Sequence, residues 1–171
     1  EGAVRIWDVA PARLVATLAG HGKGVTSLAL SDDGKRLATG AADGSVRLWD
    51  AESGARTAEL PPHGASVSVL AFSRDGARLA SGARDGSVAV WDVPGAKRLA
   101  SSVSKDPVMG LLFAPDGRTL VTAQDTEVRL RDAATGEVRA APGGYDQAVL
   151  GMASSPDGAT HKRSAAGDDS F

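Results

Sequence analysis

DGSVRLWD, Asp43 to Asp50, decides the fold because the chain keeps returning to it. Asp85 to Asp92 reads DGSVAVWD, Gly2 to Asp8 reads GAVRIWD, and a decayed copy, TEVRLRD, runs from Thr126 to Asp132. The closing residues Asp8, Asp50, Asp92 and Asp132 lie 42, 42 and 40 residues apart. A fixed period of this size marks stacked copies of one supersecondary unit, none of which buries its apolar face alone.

Working outward from the motif, each period holds four short runs. In the first full period they are VTSLALS (Val25–Ser31), RLATG (Arg36–Gly40), SVRLWD (Ser45–Asp50) and ARTAEL (Ala55–Leu60). Runs of this length bounded by turn residues read as strands. Asp33-Gly34 and Asp43-Gly44 supply the positive φ of tight hairpins, so consecutive strands are antiparallel neighbours. The second period repeats the pattern as VSVLAFS, RLASG, SVAVWD and AKRLAS. The third keeps VMGLLFA, TLVTA and EVRLRD, with its second hairpin shortened around Asp125. The fourth opens with VLGMASS, then places His161, Lys162 and Arg163 where Leu120, Val121 and Thr122 stand one period earlier. Helix signals are missing, so the chain is all-β.

Composition limits the function classes. Of 171 residues, 42% are hydrophobic and 23% charged, the balance of a soluble globular protein. A net charge of -2 with no basic run gives no footprint for nucleic acid or an anionic membrane. The absence of cysteine removes disulfides, zinc thiolates and a thiol nucleophile, and fits a reducing, cytoplasmic setting. Glu1 falls inside a repeat, so we expect a piece of a longer chain.

Chemical motifs are weak. GHGKG at Gly20–Gly24 lacks phosphate-loop spacing and is followed by Val25. His21, His63 and His161 fall in different periods and suggest no metal centre. Asp32-Asp33 and Asp168-Asp169 read as turn residues and not as calcium ligands, which need further oxygens. The first strand of each period carries no Asp, Glu, His, Lys or Arg, which leaves acid–base chemistry without a group there.

Gly20-His21, the Asp-Gly turns and the Trp-Asp pairs at a period near 42 resemble the WD-repeat β-propellers, over essentially the whole chain. The resemblance implies a propeller segment of four-stranded antiparallel blades with about four repeats. Residues 1–19 form a half blade, 20–61 and 62–103 two blades, 104–143 a degenerate blade and 144–171 an incomplete one. It also implies a hydrogen-bonded tetrad in each blade: His21, Thr39, Asp43 and Trp49 in the first, His63, Ser81, Asp85 and Trp91 in the second. The third blade has Ser104 for His and Arg131 for Trp, and the fourth has Tyr145 for His. A repeated His, Ser/Thr and Asp set suits a brace and not a single hydrolytic triad.

Family members commonly bind proteins or peptides on one loop-bearing face. Carried onto this sequence, that face would include Thr26, Ser68, Arg84, Pro107, Met109, Gln124 and Leu150, with the apolar members facing solvent. The expected function is therefore a non-catalytic protein or peptide scaffold with no cofactor or metal, cut from a seven- or eight-bladed ring. The competing readings are a propeller enzyme with a loop-borne site and a sensor module of a larger enzyme. The half blades at the two ends are complementary, so two chains could also join as a homodimer, because closure removes open edges.

Overall fold

A computed structural model describes residues 3–142, 144, 147–154 and 161–165. The strands are β1 (Val4–Asp8), β2 (Arg13–Leu18), β3 (Val25–Leu30), β4 (Arg36–Ala41), β5 (Val46–Asp50), β6 (Arg56–Leu60), β7 (Val67–Phe72) and β8 (Arg78–Ala83). They continue as β9 (Ser87–Asp92), β10 (Lys97–Val103), β11 (Val108–Phe113), β12 (Thr119–Gln124), β13 (Glu127–Asp132), β14 (Val138–Ala140), β15 (Val149–Ser154) and β16 (His161–Ala165). Among the described residues there is no helix. Three sheets are complete meanders, β3-β4-β5-β6, β7-β8-β9-β10 and β11-β12-β13-β14. β1-β2 and β15-β16 are separate two-stranded sheets, not hydrogen-bonded to one another.

Each sheet buries one face on its neighbour. Val46, Leu48 and Leu60 of the first complete blade pack with Val67, Leu70, Leu79 and Trp91 of the second. Val88, Val90 and Ala100 of the second pack with Val108, Leu111 and Leu120 of the third. β2 and β1 meet the first blade through Leu18 and Ile6 against Leu37 and Trp49. Burying a Leu or Val side chain contributes about 1.5–3 kcal/mol, so these stacked faces outweigh any single hydrogen bond in the chain.

The Asp-Gly turns also bind adjacent blades. Gly44 sits at φ 83 and its carbonyl accepts the His63 N–H at 3.0 Å. A Cβ there would fall onto the carbonyl oxygen of His63. Gly86 repeats the arrangement beneath Ser104. The turn therefore needs glycine twice, for its left-handed backbone and for the approach of the next blade. Gly44→Ala is expected to lower stability by about 2 kcal/mol or more, from αL strain and overpacking. Thermal denaturation followed by circular dichroism checks this; an unchanged melting temperature would contradict the close approach.

Candidate functional site

Pairing register brings the tetrad residues together from separate strands. In the first complete blade, Thr39 lies in the middle of β4, opposite Leu28 on one side and Arg47 on the other. Trp49 lies two residues past Arg47, so its indole crosses back toward Thr39. Its Nε1–H donates to the Thr39 hydroxyl at 2.9 Å. His21, in the loop before β3, places Nε2 2.6 Å from the same hydroxyl. Its Nδ1 is 2.8 Å from Ser45 Oγ, and Ser45 donates to Asp43 Oδ1 at 2.6 Å.

Donor and acceptor chemistry fixes the direction of this chain. The indole can only donate and an ionised carboxylate can only accept. Ser45 spends its proton on Asp43, so its oxygen must accept from Nδ1–H of His21. Thr39 accepts from the indole and gives its own proton to Nε2. One arrangement satisfies every group, and it requires a neutral imidazole protonated on Nδ1. The second blade repeats it. Trp91 Nε1 to Ser81 is 2.8 Å, Ser81 to His63 Nε2 2.7 Å, His63 Nδ1 to Ser87 2.5 Å and Ser87 to Asp85 2.5 Å.

Ser45 and Ser87 thus join each His to its Asp, a link the four-residue expectation did not contain. The signal was present, since both occupy the third position of Asp-Gly-Ser. The order Asp–Ser–His–Thr–Trp also removes a hydrolytic reading of these residues. Thr39 and Ser81 are fully buried and already engaged with an indole.

The third blade solves the same problem differently. Arg131 replaces the indole and is 3% exposed; its Nε donates to Thr122 at 3.2 Å. Nη1 reaches Ser102 and the Gly136 carbonyl, and Nη2 reaches Gln124 Oε1 at 3.2 Å. Gln124 Nε2 donates to Ser104, which stands at the His position. An arginine, a glutamine and a serine have together taken over the roles of tryptophan and histidine.

Gln124 is therefore not a surface residue, and its assignment to the interaction face is corrected. It pairs with Val108 as Ala41 pairs with Val25 and Ala83 with Val67, all on core-facing strand ends. The third hairpin is one residue shorter, with Asp125 at φ 49, so the counterpart of Arg84 is the exposed Asp125. Thr26 and Ser68 lie at the rim, but their hydroxyls stitch blades together. Thr26 donates to Val67 O at 2.6 Å, and Ser68 to Val108 O and to Gly82 O. Arg84, Pro107 and Met109 are exposed as expected. The side chain of Leu150, together with Tyr145, lies outside the described residues.

Burial first, and the Arg47 charge second, hold the His21 pKa below its ordinary 6.5, against the pull of Asp43. Burial likewise lowers His63. Both rings bind a proton less readily folded than unfolded, so on acidification the unfolded state is protonated first. Their contribution is complete above about pH 6.5 and is lost as pH falls through the lowered folded values. A stability profile between pH 7.5 and 5 should fall toward acid, and His21→Gln with His63→Gln should flatten it. His21→Ala is expected to cost about 1–3 kcal/mol by orphaning Thr39 and Ser45. Gln124→Leu should cost a similar amount, about 1–3 kcal/mol, whereas a true surface position would change stability by less than about 0.5 kcal/mol. Urea denaturation of each variant reads these values.

The family model described as "WD domain, G-beta repeat" matches residues 12–50, 54–92 and 97–132, more than half of the chain. Each match runs from the outer strand of one sheet through the Trp-Asp strand, or its Arg-Asp counterpart, of the next. No curated protein matches significantly. WD repeats generally mediate protein interactions and are typically scaffolds without enzymatic activity. With three repeats matched, and with a brace of Trp, Thr or Ser, His, Ser and Asp in two of the blades so defined, the chain belongs to the WD-repeat family.

Proposed function

We propose that the chain is a non-catalytic protein- or peptide-binding scaffold, a segment of a larger propeller, and that its contact face is the rim around Arg84, Pro107 and Met109. The observation that carries this is at Met109. The position after the Val that opens each first strand holds Thr26, Ser68 and Met109 in successive blades. In the first two, the side chain bonds to the next blade. Met109 gives up that bond and instead exposes 43% of an apolar, adaptable side chain. Pro107 lies exposed two residues before it.

Arg84 belongs to the same rim. Ser68 bonds both to the carbonyl of Gly82, two residues before Arg84, and to that of Val108, beside Met109. Among the described residues Arg84 has no carboxylate partner. An apolar centre flanked by an unpaired guanidinium suits a peptide carrying an apolar anchor and an acidic residue.

Met109→Thr separates the two roles. It should raise stability by about 0.5–1.5 kcal/mol by restoring the bond to the neighbouring blade, and weaken peptide binding. Met109→Asp with Arg84→Glu should abolish binding while leaving thermal stability near that of the parent. The measurement is selection from a displayed peptide library, followed by calorimetric titration of the enriched peptides. Peptides that bind both variants as tightly as the parent would overturn the assignment of this face.

A further inference from the structure

The seam between the second and third blades departs from its neighbours at a matched pair of positions. Leu18 lies opposite Val4 and Leu60 opposite Val46, each on the outermost strand of its sheet; Ser102 holds the same place opposite Val88. Leu18 and Leu60 are 2% and 1% exposed and pack in the clusters that hold Trp49 and Trp91 of the following sheet. Here both partners have changed. Ser102 stands for the leucine and Arg131 for the tryptophan, and Arg131 Nη1 donates to Ser102 Oγ at 3.0 Å.

The cation in this seam lacks an anion. Arg131 is buried, yet among the described residues it forms no ion pair, and its bonds go to neutral oxygens of Thr122, Ser102, Gly136 and Gln124. A negative group delivered beside it would offset the cost of that burial. Ser102 is the reachable member of the pair. It is half-buried, and it lies near the end of β10, an edge strand that among the described residues is hydrogen-bonded to β9 alone. The leucines of the other seams show that the position admits a longer side chain. Five and four residues before Ser102, Lys97 and Arg98 are exposed and, among the described residues, have no carboxylate partner.

We propose that Ser102 is a phosphorylation site for a serine/threonine kinase that recognises upstream basic residues, and that Arg131 receives the phosphate. Transfer forms a bond from Ser102 Oγ to the γ-phosphorus of a nucleoside triphosphate. It breaks the bond from that phosphorus to the bridging oxygen, so that the nucleoside diphosphate leaves, and the hydroxyl proton passes to the kinase's carboxylate base. The product carries a charge of about −1.5 to −2 at neutral pH and three acceptor oxygens, on the atom that Arg131 already reaches. A seam held by neutral hydrogen bonds then gains a charge-assisted pair between two blades. This goes beyond the peptide-binding reading and rests on no part of it.

Neighbouring serines do not share this geometry. Ser101 is exposed, but it pairs with Ala89, which packs toward the first blade, so alternation turns Ser101 away from Arg131. Ser104 is engaged by Gln124 and by the carbonyls of Gly86 and Asp106. Ser102 alone of the three faces the third blade beside Ala100, which packs with Val108 and Leu111.

Phosphoserine encoded at position 102 of the full chain tests the receiving site. Read by phosphorus-31 resonance, its phosphate should titrate about 0.5 pH unit or more below that of phosphoserine encoded at the exposed position 101. Arg131→Trp, which restores the indole of the other blades, should abolish that difference. Equal titration at the two positions, a difference that survives Arg131→Trp, or loss of the fold on phosphate at 102 would each overturn the pairing. Treatment of the unaltered chain with a basophilic protein kinase and magnesium ATP tests the acceptor. Peptide mass spectrometry should find the phosphate on Ser102, and Lys97→Gln with Arg98→Gln should slow transfer about tenfold or more. Phosphate on Ser101 or Ser104 instead, no phosphate at all, or an unchanged rate in the double variant would overturn the assignment.

Discussion

A single buried hydroxyl per blade sets the terms for much of the rest. Thr39, Ser81 and Thr122 are fully buried on the second strand of their sheets, between a third-strand donor and the loop that precedes the first strand. A hydroxyl has one proton to give and two lone pairs, so it can join two elements at once. In the first two blades it takes the indole proton and gives its own to the imidazole. That bond holds the His-bearing loop, and in the second blade the N–H of His63 itself donates to the glycine turn of the blade before it. Order inside one sheet is thereby passed to the contact with its neighbour. The apolar stacking supplies most of the energy; the polar chain sets the registration.

The third blade shows that the requirement is for satisfied donors and not for particular residues. Replacing Trp by Arg brings a cation into a site where it is nearly fully buried, and burial lowers its pKa. The cost is offset by spreading the guanidinium over Thr122, Ser102, Gly136 and Gln124, all neutral oxygens. Gln124 in turn holds Ser104 where a His would be. Three substitutions that look like decay in the sequence are one network in space, and each alone would leave the others short of a partner.

The strand order was legible because period, Asp-Gly turns and strand-length runs all point to the same meander. Ser45 and Ser87 were missed because the tetrad was read as four named types, whereas the physical requirement was an acceptor for Nδ1–H. Gln124 was misplaced for a different reason. Counting back from Asp132 carries the loop position across a hairpin shortened by one residue, and that deletion moves it onto a strand, where alternation turns it to the core. Thr26 and Ser68 read from the sequence as rim residues, but a sequence does not show that a rim hydroxyl is already engaged with the carbonyl of the next blade.

That engagement bears on how such a repeat carries function. Where the rim side chain is Thr or Ser, its polar capacity is used internally and little is left for a ligand. Met109 breaks the rule on the blade whose internal brace has also been rebuilt. A repeat protein can release a position for binding when the stacked apolar faces still hold the blade and the lost inter-blade bond is small beside them. The departures from the repeat are therefore more informative about function than the repeat itself. Among the described residues they gather in the third blade.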